Sequence, residues 1–144
     1  MDNNAYNEKE LFPPILAVDF DGTIVSNEFP NIGKPDWVTV NMVKEQQKKG
    51  WKLILWSCRT GEALQQATDF CRNTLGLDFD AVNDNIPEVQ QYFGESTRKV
   101  FANLYLDDRN AAFIIRKGKP DGIGPMPLFV AEEGAIDIGV DYGA

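Results

Sequence analysis

The chain has 144 residues, 43% hydrophobic and 25% charged, with a formal net charge of −8 and no histidine. That is the length and composition of one globular domain with a core of its own. Without histidine there can be no Ser-His-Asp triad, Cys-His pair or histidine phosphatase, and the acidic balance counts against long nucleic acid and membrane surfaces as partners.

Residues 1–12 are polar, lack the apolar stretch of a signal peptide and read as a loose leader. Pro13-Pro14 stops any helix. Residues 15–20 form a short apolar run suited to a buried strand, and Asp21-Gly22 breaks it. Residues 26–35, with Pro30, Gly33 and Pro35, read as a loop. Asp36 is placed to cap a helix running to about Lys49, with Gly50 as its stop. Residues 51–56 are the next strand, 61–75 a second helix ended by Gly76, 79–82 a short strand and 87–93 a short helix. Residues 104–106 make a third core strand ending at Asp107-Asp108. Residues 110–116 suit either a helix or a strand, and the tail after Gly118 carries little signal. No apolar run approaches the ~18 residues of a membrane span.

Cys58 and Cys71 make no disulfide framework and too few ligands for zinc. Neither opens a C-x5-R phosphatase loop, because Leu64 and Leu77 stand where the arginine belongs. A reducing, cytoplasmic setting fits such a chain. Chemistry must come from carboxylates, Lys, Arg and hydroxyls, and carboxylates with a hard cation are the natural solution.

Apolar strands alternating with helices point to an α/β fold: a three-layer, doubly wound, mostly parallel sheet. Ligands bind such sheets outside the carboxyl ends of the strands. Three core strands end there in reactive groups: Asp19 and Asp21, then Ser57, then Asp107 and Asp108. Residues two apart in an extended chain share a side, so Asp19 and Asp21 converge and repel. A site gains a nucleophile or metal ligand from one and a proton donor from the other. A plain turn after the strand accounts for Asp-Phe-Asp-Gly equally well when the segment is taken alone.

Val18-Asp19-Phe20-Asp21-Gly22-Thr23 matches the first motif of the haloacid dehalogenase superfamily of phosphatases. Leu53-Ile54-Leu55-Trp56-Ser57 resembles the second, Lys99 the third, and Leu104-Tyr105-Leu106-Asp107-Asp108 the fourth; together they span roughly residues 13–112. The resemblance implies that Asp19 attacks phosphorus and forms an aspartyl-phosphate, with Asp21 as general acid and base. It implies Mg2+ held by the Asp19 carboxylate, the Asp21 main-chain carbonyl and Asp107, with Asp108 binding through water or orienting the others. Ser57 and Lys99 would hold the phosphoryl group.

Each partner has a blander alternative. Ser57 suits a strand end, Lys99 a solvated surface, Asp107-Asp108 a helix cap and Cys58 a packing position. Lys52 rivals Lys99 but sits at the wrong end of its strand. Arg59 suits a substrate phosphate and a surface ion pair about equally.

Asp21 and Ser57 lie 36 positions apart, and Ser57 and Lys99 42. The hairpin, helices and strands fill both intervals, so no cap domain is expected. By the resemblance, capless members act on large or exposed phosphate esters or use neighbouring subunits for enclosure, which makes a homo-oligomer one route to a closed site; the partner expected here is a small phosphorylated substrate or an exposed phosphate ester. The loop 29–35 takes the place of a lid, with Ile32 and Lys34 as candidate substrate contacts. The competing expectations are a non-hydrolytic phosphate-binding domain and a phosphorylation-switched, receiver-like module. In the latter, the lysine follows the phosphorylated acid and the hydroxyl; here Lys99 precedes Asp107-Asp108.

Overall fold

The structure, a computed structural model, describes residues 6–116 and 119–125, and gives no side-chain environment for 112–121. The chain divides into two compact units, Met1–Asp107 and Asp108–Ala144.

The first unit is a four-stranded parallel sheet with helices packed on it. In chain order its elements are α1 (Glu8–Leu11), β1 (Ile15–Val18), α2 (Trp37–Lys48), β2 (Lys52–Leu55), α3 (Gly61–Phe70), β3 (Ala81–Val82), α4 (Pro87–Phe93) and β4 (Leu104–Leu106). The sheet order is β3-β2-β1-β4, every pair parallel. All four residues of β1 are buried, as expected of a central strand covered on both faces. Growth runs from β1 to β2 to β3, then jumps back across β1 to β4. Right-handed crossovers therefore put α2 and α3 on one face and α4 on the other. The packing agrees: Val89 of α4 clusters with Ile15, Ala17 and Ile54, which alternate onto that face. The reversal lies between β1 and β4, and a doubly wound sheet opens its ligand crevice at such a reversal.

Local chemistry explains the helix ends. The Asp36 carboxylate accepts from Val38 N–H at 3.1 Å and Thr39 N–H at 3.3 Å, capping α2. Pro87 opens α4, and left-handed Gly94 closes it. The helix expected over 61–75 is α-helical only to Phe70; its last turn, Cys71–Leu75, widens to a π turn before Gly76.

Residues 6–12 are not a loose leader. They form α1 and an aromatic anchor. Phe12 is buried, meeting Phe101 at 5.5 Å and Tyr92 edge-on at 5.6 Å, while Tyr6 lies 6.2 Å from Phe93. Asn103 ties the segment down, donating to Glu8 at 3.2 Å and accepting from Ile15 N–H at 2.7 Å. The leader's first five residues lie outside the described ones.

In the second unit, β5 (Ala111–Arg116) and β6 (Lys119–Pro125) pair antiparallel, with an irregularity between Ile114 and Ile115. Residues 110–116 are thus mainly a strand. The rest of the tail lies outside the described residues. No helix among the described residues is long and apolar enough to cross a membrane.

Cys71 is fully buried, and burial pushes its thiol up to about 12 from an ordinary 9.0. Above pH 9.0 the unfolded chain releases this proton while the fold retains it, so stability falls as pH rises. Between pH 9.0 and about 12, the native protein is expected to lose about 1.4 kcal/mol per pH unit more than Cys71→Ala. Denaturant midpoints measured across that window would contradict this if the two profiles ran parallel.

Candidate functional site

The carboxyl ends of β1, β2 and β4 lie side by side. The ladder continues one residue past the strands: Asp19 N–H donates to Leu106 C=O, and Trp56 N–H to Val18 C=O, both at 2.9 Å. This brings carboxylate oxygens of Asp19, Asp107 and Asp108 within 4.8 Å of one another, all half-buried. Two unit charges at that spacing repel by about 3 kcal/mol at an effective dielectric of 20. A hard cation relieves this repulsion, and clustered carboxylate oxygens are the donor set that magnesium or calcium takes. The buried Thr23 hydroxyl donates to Asp19 Oδ2 at 3.0 Å, fixing how that carboxylate presents its oxygens.

The chain leaves β1 through a tight turn. Thr23, Ile24 and Val25 N–H groups all donate to Phe20 C=O, and Gly22 takes φ 90°, a left-handed conformation that favours glycine. A short hairpin follows, in which Val25 bridges Pro35 and Ser26 N–H donates to Lys34 C=O. A Cβ on Gly33 would overlap the Ser26 carbonyl, so only glycine lets the two sides of the hairpin close this tightly.

Asp21 does not point into the acidic cluster as a lone acid. It forms a bidentate pair with Arg59, both contacts 2.7 Å. Arg59 is 2% exposed, so neither a substrate-phosphate contact nor a surface ion pair describes it. All five guanidinium protons are engaged: two with Asp21 and the others with the carbonyls of Pro30 (3.1 Å), Asn31 (2.8 Å) and Ala63 (3.4 Å). The rings of Phe20 and Phe29 lie over the guanidinium, each 5.1 Å away. No donor is left for a phosphate. The hydrogen bond to Asp21 raises the Arg59 pKa further, against the opposing effect of burial. Removing Asp21 would leave the buried Arg59 charge without its partner, a loss that typically costs about 3–5 kcal/mol.

Ser57 is held by a residue that the sequence did not single out. Asn83 makes a two-point brace with its peptide: Ser57 N–H donates to Asn83 Oδ1, and Asn83 Nδ2 donates to Ser57 C=O, both at 2.8 Å. Asn83 adopts φ 49°, which asparagine tolerates better than most residues. Ser57 Oγ accepts from Arg59 N–H at 3.1 Å, so its own hydroxyl proton can turn to another acceptor. Lying between Val82 and Asp84, Asn83 reads as an ordinary turn residue; only the pairing across the strand ends exposes its role.

The Lys99 ammonium lies 5.6 Å from the Tyr105 ring centre, in a cavity of about 460 Å³ that Asn85, Thr97 and Phe101 also line. Tyr105 precedes Asp107 by two positions, so strand alternation puts that ring on the side of Asp107. Lys52 faces Asp80 at 3.7 Å, at the amino end of β2, so it does not compete for the strand-end cluster. Lys34 is exposed and lines a cavity of about 410 Å³ with Thr23, Ser26 and Trp37; Ile32 is half-buried. Cys58 is an exposed thiol beside Ser57.

No protein-family model matches the chain, and no match was found among curated proteins. Among solved structures it is similar to that of a conserved protein coded by a locus from Bacteroides thetaiotaomicron. The two are 46% identical over 67% of this chain and 76% of that one, with a TM-score of 0.59. The chain belongs to the same family as that conserved protein.

The brace on Ser57 is open to test by stability. Asn83→Gly keeps the left-handed backbone and deletes the brace, while Asn83→Asp sets a carboxylate against the Ser57 carbonyl. We expect losses of about 1–3 kcal/mol, larger for Asn83→Asp, in denaturant unfolding. Wild-type stability in both variants would refute the brace.

Proposed function

We propose that this protein is a Mg2+-dependent phosphatase of the haloacid dehalogenase type, capless, acting on a small or exposed phosphate monoester. The observation that carries this reading is the convergence of the Asp19, Asp107 and Asp108 carboxylates at the reversal of a parallel sheet, next to the strand end that carries Ser57.

In this reading an Asp19 oxygen attacks phosphorus and Thr23 orients it. As the bond to the leaving group breaks, its electron pair stays on oxygen and takes a proton from Asp21. Water then attacks the aspartyl-phosphate, giving its proton to Asp21 and freeing Asp19. The Ser57 hydroxyl donates to a phosphoryl oxygen. Lys99 neutralises charge there once its flexible side chain swings off Tyr105. The Asp19 and Asp107 carboxylates and the Asp21 main-chain carbonyl would hold Mg2+, with Asp108 beside them, and the cation would offset the repulsion between carboxylate and phosphate dianion. Lys34 remains the hairpin's candidate for meeting substrate, alongside Ile32; Arg59 does not. A cytoplasmic setting goes with this reading, since Cys58 and Cys71 are both free thiols.

One observation favours a second reading. Asp21 is bound on both oxygens by Arg59, so the side chain assigned the proton transfer is already engaged elsewhere. A module that accepts a phosphoryl group on Asp19 and releases it slowly has no need of an acid.

The deciding assay is phosphate release from a panel of esters with Mg2+ or EDTA. Release is expected with Mg2+, lost with EDTA, and reduced by ~10³-fold or more in Asp19→Asn. Undiminished release in Asp19→Asn would refute the nucleophile. A long-lived phosphoryl group on Asp19 after treatment with a small acyl phosphate, without ester turnover, would favour the switch.

A further inference from the structure

Arg59 sits between two things that the mechanism keeps apart: the proton-transferring acid and the loop that stands where a lid would be. Its Nε and one Nη2 proton fix both oxygens of Asp21. The Nη1 and Nη2 groups also donate to the carbonyls of Pro30 and Asn31 at the tip of the hairpin. Phe29 of the same tip and Phe20, between the two catalytic carboxylates in sequence, each place a ring 5.1 Å from the guanidinium carbon. Phe29 is itself 60% exposed, so the tip that grips Arg59 faces solvent while Arg59 does not.

A guanidinium is planar and rigid, and its donors form a fixed fork. It cannot keep its bonds to Pro30 and Asn31 and turn relative to Asp21 at the same time. Displacement of residues 29–31 therefore changes where the Asp21 carboxylate points. We propose that Arg59 is a positioning residue that couples the hairpin tip, residues 29–31, to the direction of Asp21, so that a phosphate ester pressing on the tip adjusts its own proton donor. This rests on the phosphatase reading above. It gives the hairpin a task without a cap domain: the tip acts through Arg59 rather than by covering the site.

The test exploits leaving groups. An aryl ester with a good leaving group, such as p-nitrophenyl phosphate, departs with little need of a proton. An alkyl ester, such as glycerol phosphate, needs one. The ratio of kcat/KM for alkyl over aryl ester therefore reports the first step and the placement of Asp21. A loss of folded or metal-bound protein lowers both values together and leaves the ratio alone. Full-length wild type, Asp21→Asn, Arg59→Gln, Arg59→Lys and Phe29→Ala would be compared with Mg2+, with folding checked by thermal unfolding.

We expect the ratio to fall in Asp21→Asn, and to fall in the same direction by roughly tenfold or more in Arg59→Gln, within the range that general acids contribute. Arg59→Lys should not restore it, because an ammonium cannot hold two carboxylate oxygens and two carbonyls in one plane. Phe29→Ala should lower it by a smaller factor. An unchanged ratio in the Arg59 variants, with Asp21→Asn still altered, overturns the proposal and leaves the phosphatase reading intact. If the Arg59 variants do not fold, Phe29→Ala decides alone: a lowered ratio supports the coupling and an unchanged one overturns it. Absence of Asp19-dependent turnover in wild type overturns the phosphatase reading, and the coupling with it.

Discussion

The structure depends first on the parallel pairing of β1 with both β2 and β4. β1 is the one strand in the described sheet whose every residue is buried and whose ladder continues past its end on both sides. Its register with β4, Val18 opposite Leu106, sets Asp19 directly beside Asp107. A one-residue slip would turn the side chains of β4 to the opposite face and break up the acidic cluster. The apolar character of the four β1 residues is thus more than core filling: it commits the strand to the middle of the sheet, and the middle is where the winding reverses and the carboxylates meet.

A second constraint is the desolvated charge of Arg59. A buried guanidinium must satisfy all its donors, and this one does so by drawing in Asp21, the hairpin tip and the start of α3. The hairpin is accordingly not a free loop over an open site. Gly33 closes its two sides, and Arg59 pins its tip. Asp21 is half-buried like the carboxylates of Asp19, Asp107 and Asp108, and differs from them in being held on both oxygens by Arg59.

Much of the architecture was legible because its signals are local. Pro87 and Gly94 bound α4, Asp36 caps α2, and unbroken apolar runs mark β1 and β2 as strands buried on both faces. The strand-end positions of Asp19, Ser57 and Asp107 followed from the same pattern. What escaped depends on distant partners. Residues 6–12 look polar and unattached because Tyr6 and Phe12 find their contacts at Tyr92, Phe93 and Phe101. Arg59 looks like a site-edge cation because its acid lies 38 positions earlier. Asn83 looks like a turn because its brace on Ser57 exists only once β2 and β3 are paired. The widening of the helix after Phe70 has no signal that we recognise in Cys71–Leu75.

The account stands or falls on Asp19 as the atom donor to phosphorus. The most direct measurement is the stereochemical course of hydrolysis, using a phosphorothioate ester made chiral at phosphorus with sulfur, 16O and 18O and hydrolysed in 17O water. Attack by Asp19 followed by attack of water inverts the centre twice, so the released thiophosphate, with sulfur and three oxygen isotopes on phosphorus, should show net retention. Net inversion would mean that water attacks the ester directly, and would contradict the assignment.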